Sequence, residues 1–201
     1  MVYLFLFLLA LSVSELKGLT TPTNSDDTSA LLESFSLSEY AVDGYAVCND
    51  GSSGIYYFSS AKDESLKNVY LIYLPGDGQC YDEESCRHRW NTQRNMMSSI
   101  GWPVTTYRTG LLDKSKEKNV LWGANKAMLL YCSSDNYMGN APASNETKGW
   151  NFLGQNLVFA MVHKLIKKHK MSSSSTIIFA GGAAVSIIVY LVIWITKILS
   201  I

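Results

Sequence analysis

The chain has no excess of either charge. Seventeen Lys and Arg stand against seventeen Asp and Glu, a formal net charge of zero. The electrostatic footprint that nucleic-acid binding needs is therefore missing. Metal-ligand spacing is missing as well. No Cys-x-x-Cys occurs and the three histidines, His88, His163 and His169, are scattered, so a zinc site is not expected. Only 17% of residues are charged while 47% are hydrophobic, which excludes a disordered chain and allows one domain with a sizeable core.

What is present begins with an apolar run at the N-terminus. Residues 1–14 are uncharged, too short to span a bilayer, and end in the small pair Ser12 and Ser14. That pattern predicts a secretory signal peptide cleaved after Ser14, although a basic stretch before it is lacking. Secretion turns an even cysteine count into a disulfide set. Four cysteines allow three connectivities. Cys80 and Cys86 enclose a short loop, while Cys48 and Cys132 each follow an expected strand, which favours 80 with 86 and 48 with 132. Asn145-Glu146-Thr147 is a glycosylation sequon in a polar stretch.

Residues 15–39 read as a flexible leader rich in Ser, Thr, Asp and Asn, and packing is expected to begin near Tyr40. Two β-prone runs flank Asn49-Asp50-Gly51 as a hairpin would. Val69-Tyr70-Leu71-Ile72-Tyr73-Leu74 is apolar on both faces, as a central strand covered on both sides must be. It stops at Pro75-Gly76-Asp77-Gly78. A polar helical stretch over 86–99, a second strand over 126–131 and an amphipathic helix over 152–168 follow. Lys167-Lys168-His169-Lys170 could take a glycosaminoglycan or membrane surface, but cations at a helix C-terminus also complement its dipole, and that plainer reading is favoured. Thr176 to Ala180 forms a last strand entering Gly181-Gly182. The layout predicts an α/β fold with a doubly wound sheet.

Specific motifs narrow this. Val47-Cys48-Asn49-Asp50-Gly51-Ser52, the strand and glycine loop ending in Cys80, the Cys80 to Cys86 spacing, Gly101-Trp102-Pro103, Arg108-Thr109-Gly110, Trp122-Gly123-Ala124-Asn125 and Tyr131-Cys132-Ser133-Ser134-Asp135 occur in order. Together they resemble the Notum and pectin acetylesterase family from about Tyr45 to Ala180. The resemblance implies an α/β-hydrolase domain over 40–182, no cofactor, and a secreted serine carboxylesterase. The animal branch acts on a lipidated secreted protein of the Wnt type.

It also implies an oxyanion hole built from the glycine loop, here Gly76, Asp77 and Gly78, because a tetrahedral oxyanion must be met by backbone N–H groups. Three departures stand out. Asp77 brings a carboxylate close to the developing negative charge, and the aromatic residue that the animal branch would place near Gly78 is absent. The Gly-x-Ser-x-Gly elbow aligns with Gly181-Gly182-Ala183-Ala184-Val185, so the nucleophile position is Ala183. The family sequence is expected to end near Gly181 or Gly182, truncated after the elbow strand with no triad completed in cis. That leaves a non-catalytic binding protein or a membrane-tethered fragment as the alternative to an esterase.

The tail has two readings. Residues 176–196 carry no charge and are long enough for a transmembrane helix. The alternative is a buried strand and helix of the domain. Length favours the membrane, yet a cleaved signal would place the basic residues 164–170 outside, against the positive-inside tendency.

Overall fold

The strand expected over Val69–Leu74 lies inside a mixed sheet. The computed structural model describes residues 28–182. Six strands, β1 (Ala30–Ser36), β2 (Ile55–Ser59), β3 (Val69–Leu74), β4 (Thr105–Arg108), β5 (Asn125–Leu129) and β6 (Thr176–Gly181), form the order β4-β1-β2-β5-β3-β6. β1 pairs antiparallel with β2 and β4, and β2 pairs antiparallel with β5. β3 runs parallel to both β5 and β6.

Both faces of β3 are covered, which is why its sequence is apolar throughout. Tyr70, Ile72 and Leu74 point to one side and Leu71 to the other. The first face meets α3 (Gly154–His169), whose Leu157, Val158, Met161, Val162 and Leu165 pack on Tyr56, Phe58, Ile72 and Leu129. The opposite face, with Leu32, Tyr57, Leu71 and Met128, is covered by irregular chain carrying Leu112 and the half-buried Trp102, Leu111 and Leu121. Two further helices are α1 (Ser38–Ala41) and α2 (Glu83–Thr92).

Three expectations are corrected. The leader over 15–39 is too long, because Ala30–Ser36 is β1, between β2 and β4. Ala30 and Leu32 are buried while Leu31 and Glu33 face out, a period of two masked by the polar composition around it. The segment before Cys48 is not a strand but a single bridge, Val47 to Ser53. The helix expected over 86–99 starts earlier, because Asp82 and Ser85 form a capping box, and it ends at Thr92 before a short 3-10 turn over Arg94–Met96.

The transmembrane reading over 176–196 also changes. Its first six residues are β6, paired with β3 from Val69↔Thr176 to Leu74↔Gly181. A strand hydrogen-bonded to its neighbour cannot at the same time begin a membrane helix. No helix among the described residues is long and apolar enough to cross a membrane. The expected signal sequence over 1–14, Ala183 and the rest of the tail lie outside the described residues.

Candidate active site at the carboxyl edge of the parallel strands

In an open α/β sheet, ligands bind beyond the carboxyl ends of the parallel strands. Here those ends carry three segments: Pro75–Gly78 after β3, residues 130–137 after β5, and Gly181-Gly182 at the end of β6. They meet one another. A Cβ built on Gly182 would lie 3.5 Å from the Gly76 carbonyl oxygen and 3.9 Å from its nitrogen, so the turn leaving β6 sits against the glycine loop.

The loop is held by its carbonyls. Tyr137 donates its hydroxyl to the Pro75 oxygen. Arg89 Nη2 donates to the Asp77 oxygen at 2.7 Å, and the Tyr131 hydroxyl donates to the Gly78 oxygen at 2.8 Å. A trans peptide directs its C=O and the following N–H in opposite senses. Pulling these three carbonyls towards the protein turns the amides of Gly76, Gly78 and Gln79 the other way. Gly78 has φ +66, a region that favours glycine, and a Cβ there would come within 3.0 Å of Arg89 Nη1.

The donors are themselves fixed. Burial pushes the Tyr131 hydroxyl up to about 12 and that of Tyr137 well above its ordinary value, so both keep the proton they donate. The Ser134 carbonyl accepts from the Cys80 amide at 3.2 Å, and its hydroxyl accepts from Arg89 Nε at 2.9 Å while donating to Asn49 Oδ1 at 2.7 Å. Ser134, Asn136 and Tyr137 all have positive φ, at 51°, 54° and 60°. Such strain persists where surrounding contacts over-determine the backbone.

Asp135 anchors the same loop to α3. Its carboxylate accepts from Ser133 Oγ at 2.6 Å, from the Tyr137 amide at 2.9 Å and from the Gly154 amide at 2.8 Å. It thus caps a helix whose own preceding residue, Leu153, offers no side-chain cap. Burial raises the Asp135 carboxyl above its usual range, against the hydrogen bonds that lower it.

Both disulfides brace this edge. Cys48 joins Cys132 and Cys80 joins Cys86, the pairing favoured from the sequence. Asp77 is exposed, and Asn145 is exposed on the loop between β5 and α3. Of the histidines, His169 is turned to the opposite end of the sheet, its Nε2 2.9 Å from the Tyr56 hydroxyl, and His88 is exposed on α2. Two clefts of about 440 and 590 Å³ lie elsewhere and share no residue with the glycine loop.

A family model described as Pectinacetylesterase matches residues 27–194. The chain belongs to the pectinacetylesterase family. The family match is wider at both ends than the expected 40–182, and it continues past the point near Gly182 where family sequence was expected to stop. Palmitoleoyl-protein carboxylesterase NOTUM of Mus musculus is 35% identical over 138 residues, 68% of this chain and 26% of that protein. An inactive palmitoleoyl-protein carboxylesterase, notum1b of Danio rerio, is 35% identical over 100 residues, 49% of this chain and 70% of its own. The crystal structure of the Wnt deacylase Notum from Drosophila superposes with a TM-score of 0.67 at 27% identity, covering 77% of this chain and 44% of that one. The chain thus spans about a quarter of the length of the mouse relative.

Within this pectinacetylesterase fold the structure brings the loop of Gly76, Asp77 and Gly78 to the end of β6. It adds Arg89, Tyr131, Ser134, Asp135 and Tyr137, none of which was read as part of the site. Four of these lie in or beside Tyr131-Cys132-Ser133-Ser134-Asp135, which served only as a family mark. Arg89, in a polar helix, carries no signal in the sequence at all.

Proposed function

We propose that these residues supply the oxyanion side of a secreted, Notum-type carboxylesterase fold that takes the ester of a lipidated protein of the Wnt type, and that they hold such an ester without cleaving it. The contact of Gly182 with Gly76 carries the reading. It brings the turn that would bear a nucleophile to the loop whose amides would meet an acyl oxygen. With Ala183 next in sequence, that position has no oxygen to attack the acyl carbon. His169 is fixed at the far end of the sheet, so it cannot serve as a base for this loop.

The same reading takes the chain through the secretory route, with cleavage after Ser14, two disulfides and a glycan on Asn145. The test is expression in a secreting eukaryotic host, followed by p-nitrophenyl octanoate turnover and octanoate binding by calorimetry. Binding without turnover is expected. Turnover abolished by a serine-directed fluorophosphonate would overturn the non-cleaving assignment, and absence of binding would overturn the site itself.

A further inference from the structure

α2 is a polar helix that buries only two of its residues, Cys86 and Arg89. Cys86 is bound to Cys80 at the foot of the glycine loop. Arg89, 7% exposed, brings a charge with it. A buried guanidinium ordinarily meets a carboxylate or phosphate, because removing its charge from water is costly otherwise. Among the described residues every hydrogen-bond acceptor around this one is neutral. Nε meets Ser134 Oγ at 2.9 Å, Nη1 meets Gln93 Oε1 at 2.9 Å, and Nη2 meets the Asp77 carbonyl at 2.7 Å and Met96 Sδ at 3.4 Å. The Tyr131 ring lies 5.7 Å from its central carbon.

The fit on the loop side is close. Nη1 lies 3.0 Å from where a Cβ of residue 78 would stand, so a side chain there would crowd the guanidinium. Holding the Asp77 carbonyl inward turns the Gly78 amide outward. The positive charge then stands behind an outward donor, at the end of the loop that also carries the exposed Asp77 carboxylate. In a partly dry site such a charge acts more strongly than in water.

We propose that Arg89 is the positioning residue of the glycine loop. It locks the Asp77–Gly78 peptide with its amide outward and offsets the Asp77 carboxylate, so that the loop prefers an anionic head group to a neutral one. This rests on the reading of the loop as the element that meets an acyl oxygen. The departure at Asp77, which by itself would weaken such a site, is thereby compensated from behind.

The test compares octanoate with octan-1-ol by calorimetry on the secreted full chain and on Arg89→Gln, Arg89→Lys and Asp77→Asn, with amide exchange followed over residues 76–79. The wild type is expected to prefer octanoate, Arg89→Gln to lose about tenfold in octanoate affinity and much less in octan-1-ol affinity, and Asp77→Asn to gain about threefold for octanoate relative to octan-1-ol. Exchange over the loop should accelerate in Arg89→Gln while that of β3 stays constant.

Arg89→Lys keeps the charge without the planar fork, so it should retain the preference while its loop exchanges faster. If Arg89→Gln does not fold, loss of the preference in Arg89→Lys overturns the proposal. An unchanged preference in a folded Arg89→Gln overturns it alone. A wild type that binds neither probe removes the underlying site reading, and this inference with it.

Discussion

His169 shows how far one side chain can depart from its sequence appearance. It stands inside the basic run Lys167-Lys168-His169-Lys170, yet its ring packs on Phe58 at 3.7 Å and edge-on to Phe35 at 4.9 Å. Its Nε2 meets the Tyr56 hydroxyl, which burial holds far above its ordinary range and which therefore donates. An accepting Nε2 requires the neutral ring. Burial first, then the charges of Lys168 and Lys164, bring the imidazole down to about 4. Between the ordinary value near 6.5 and this one, the unfolded chain binds a proton that the folded chain does not. Stability is therefore full above pH 6.5 and is lost as pH falls towards 4, by an amount on the order of 2–3 kcal/mol. His169→Gln keeps an acceptor for Tyr56 without titrating. Urea midpoints at pH 7.5 and 4.5 should differ much less in this variant. Asp135, raised by burial, acts with the opposite sign: its contribution is present at low pH and lost as pH rises through its raised value. An equal acid loss in both proteins would show that His169 is not the origin.

At the scale of elements, the packing of α3 depends on a missing side chain. A Cβ on Gly54 would stand 2.3 Å from Leu157 Cδ2, 3.1 Å from Leu37 Cδ1 and 3.3 Å from the Ala46 carbonyl. Leu157 and Leu37 are fully buried, so neither can swing aside into solvent. Gly54→Ala should therefore cost about 1–3 kcal/mol as an overpacked core, read as a lower melting temperature. Gly44→Ala, with no atom within 4 Å, should show only the smaller strain of its positive φ. Equal losses would contradict the packing argument. The elements themselves were legible where a period was long and clean: β3 as Val69–Leu74, α3 to within two residues, and β6 up to the glycine turn. They were illegible where composition masked the period, as in β1, and where a cap moved a boundary, as at Asp82. The loop at Gly76 to Gly78 could be located because a strand ended there in Pro and Gly. Its supports could not, since Arg89 stands in a polar helix with nothing in the sequence to mark it, and Tyr137, 62 residues from Pro75, reaches the loop only through the paired ends of β3 and β5.

For the molecule as a whole, the two disulfides do different work because they close loops of different length. Cys48 and Cys132 are 84 residues apart, Cys80 and Cys86 only 6. By loop-closure entropy the long bridge contributes about 4.5 kcal/mol against the unfolded chain and the short one about 2. The long bridge also lies beside a polar lattice built on Asn49. The Asn49 amide donates to the Cys132 carbonyl, and its side-chain nitrogen donates to the Ser133 and Asn151 carbonyls at 2.9 and 2.6 Å. It thus ties the segment before β2 to the loop after β5, next to Ser134 and Asp135. Against a total stability of about 5–15 kcal/mol, Cys48→Ala/Cys132→Ala should leave the domain marginal and lower its urea midpoint more than the other pair does. Cys80→Ala/Cys86→Ala should keep the global transition but release α2, whose only other buried residue is Arg89. Its effect should therefore fall on the glycine loop, seen as faster amide exchange over residues 76–79 and weaker octanoate binding in a protein that still melts cooperatively. The reverse order, with the short bridge governing global unfolding and the long one sparing it, would mean that the sheet is not the unit that unfolds together.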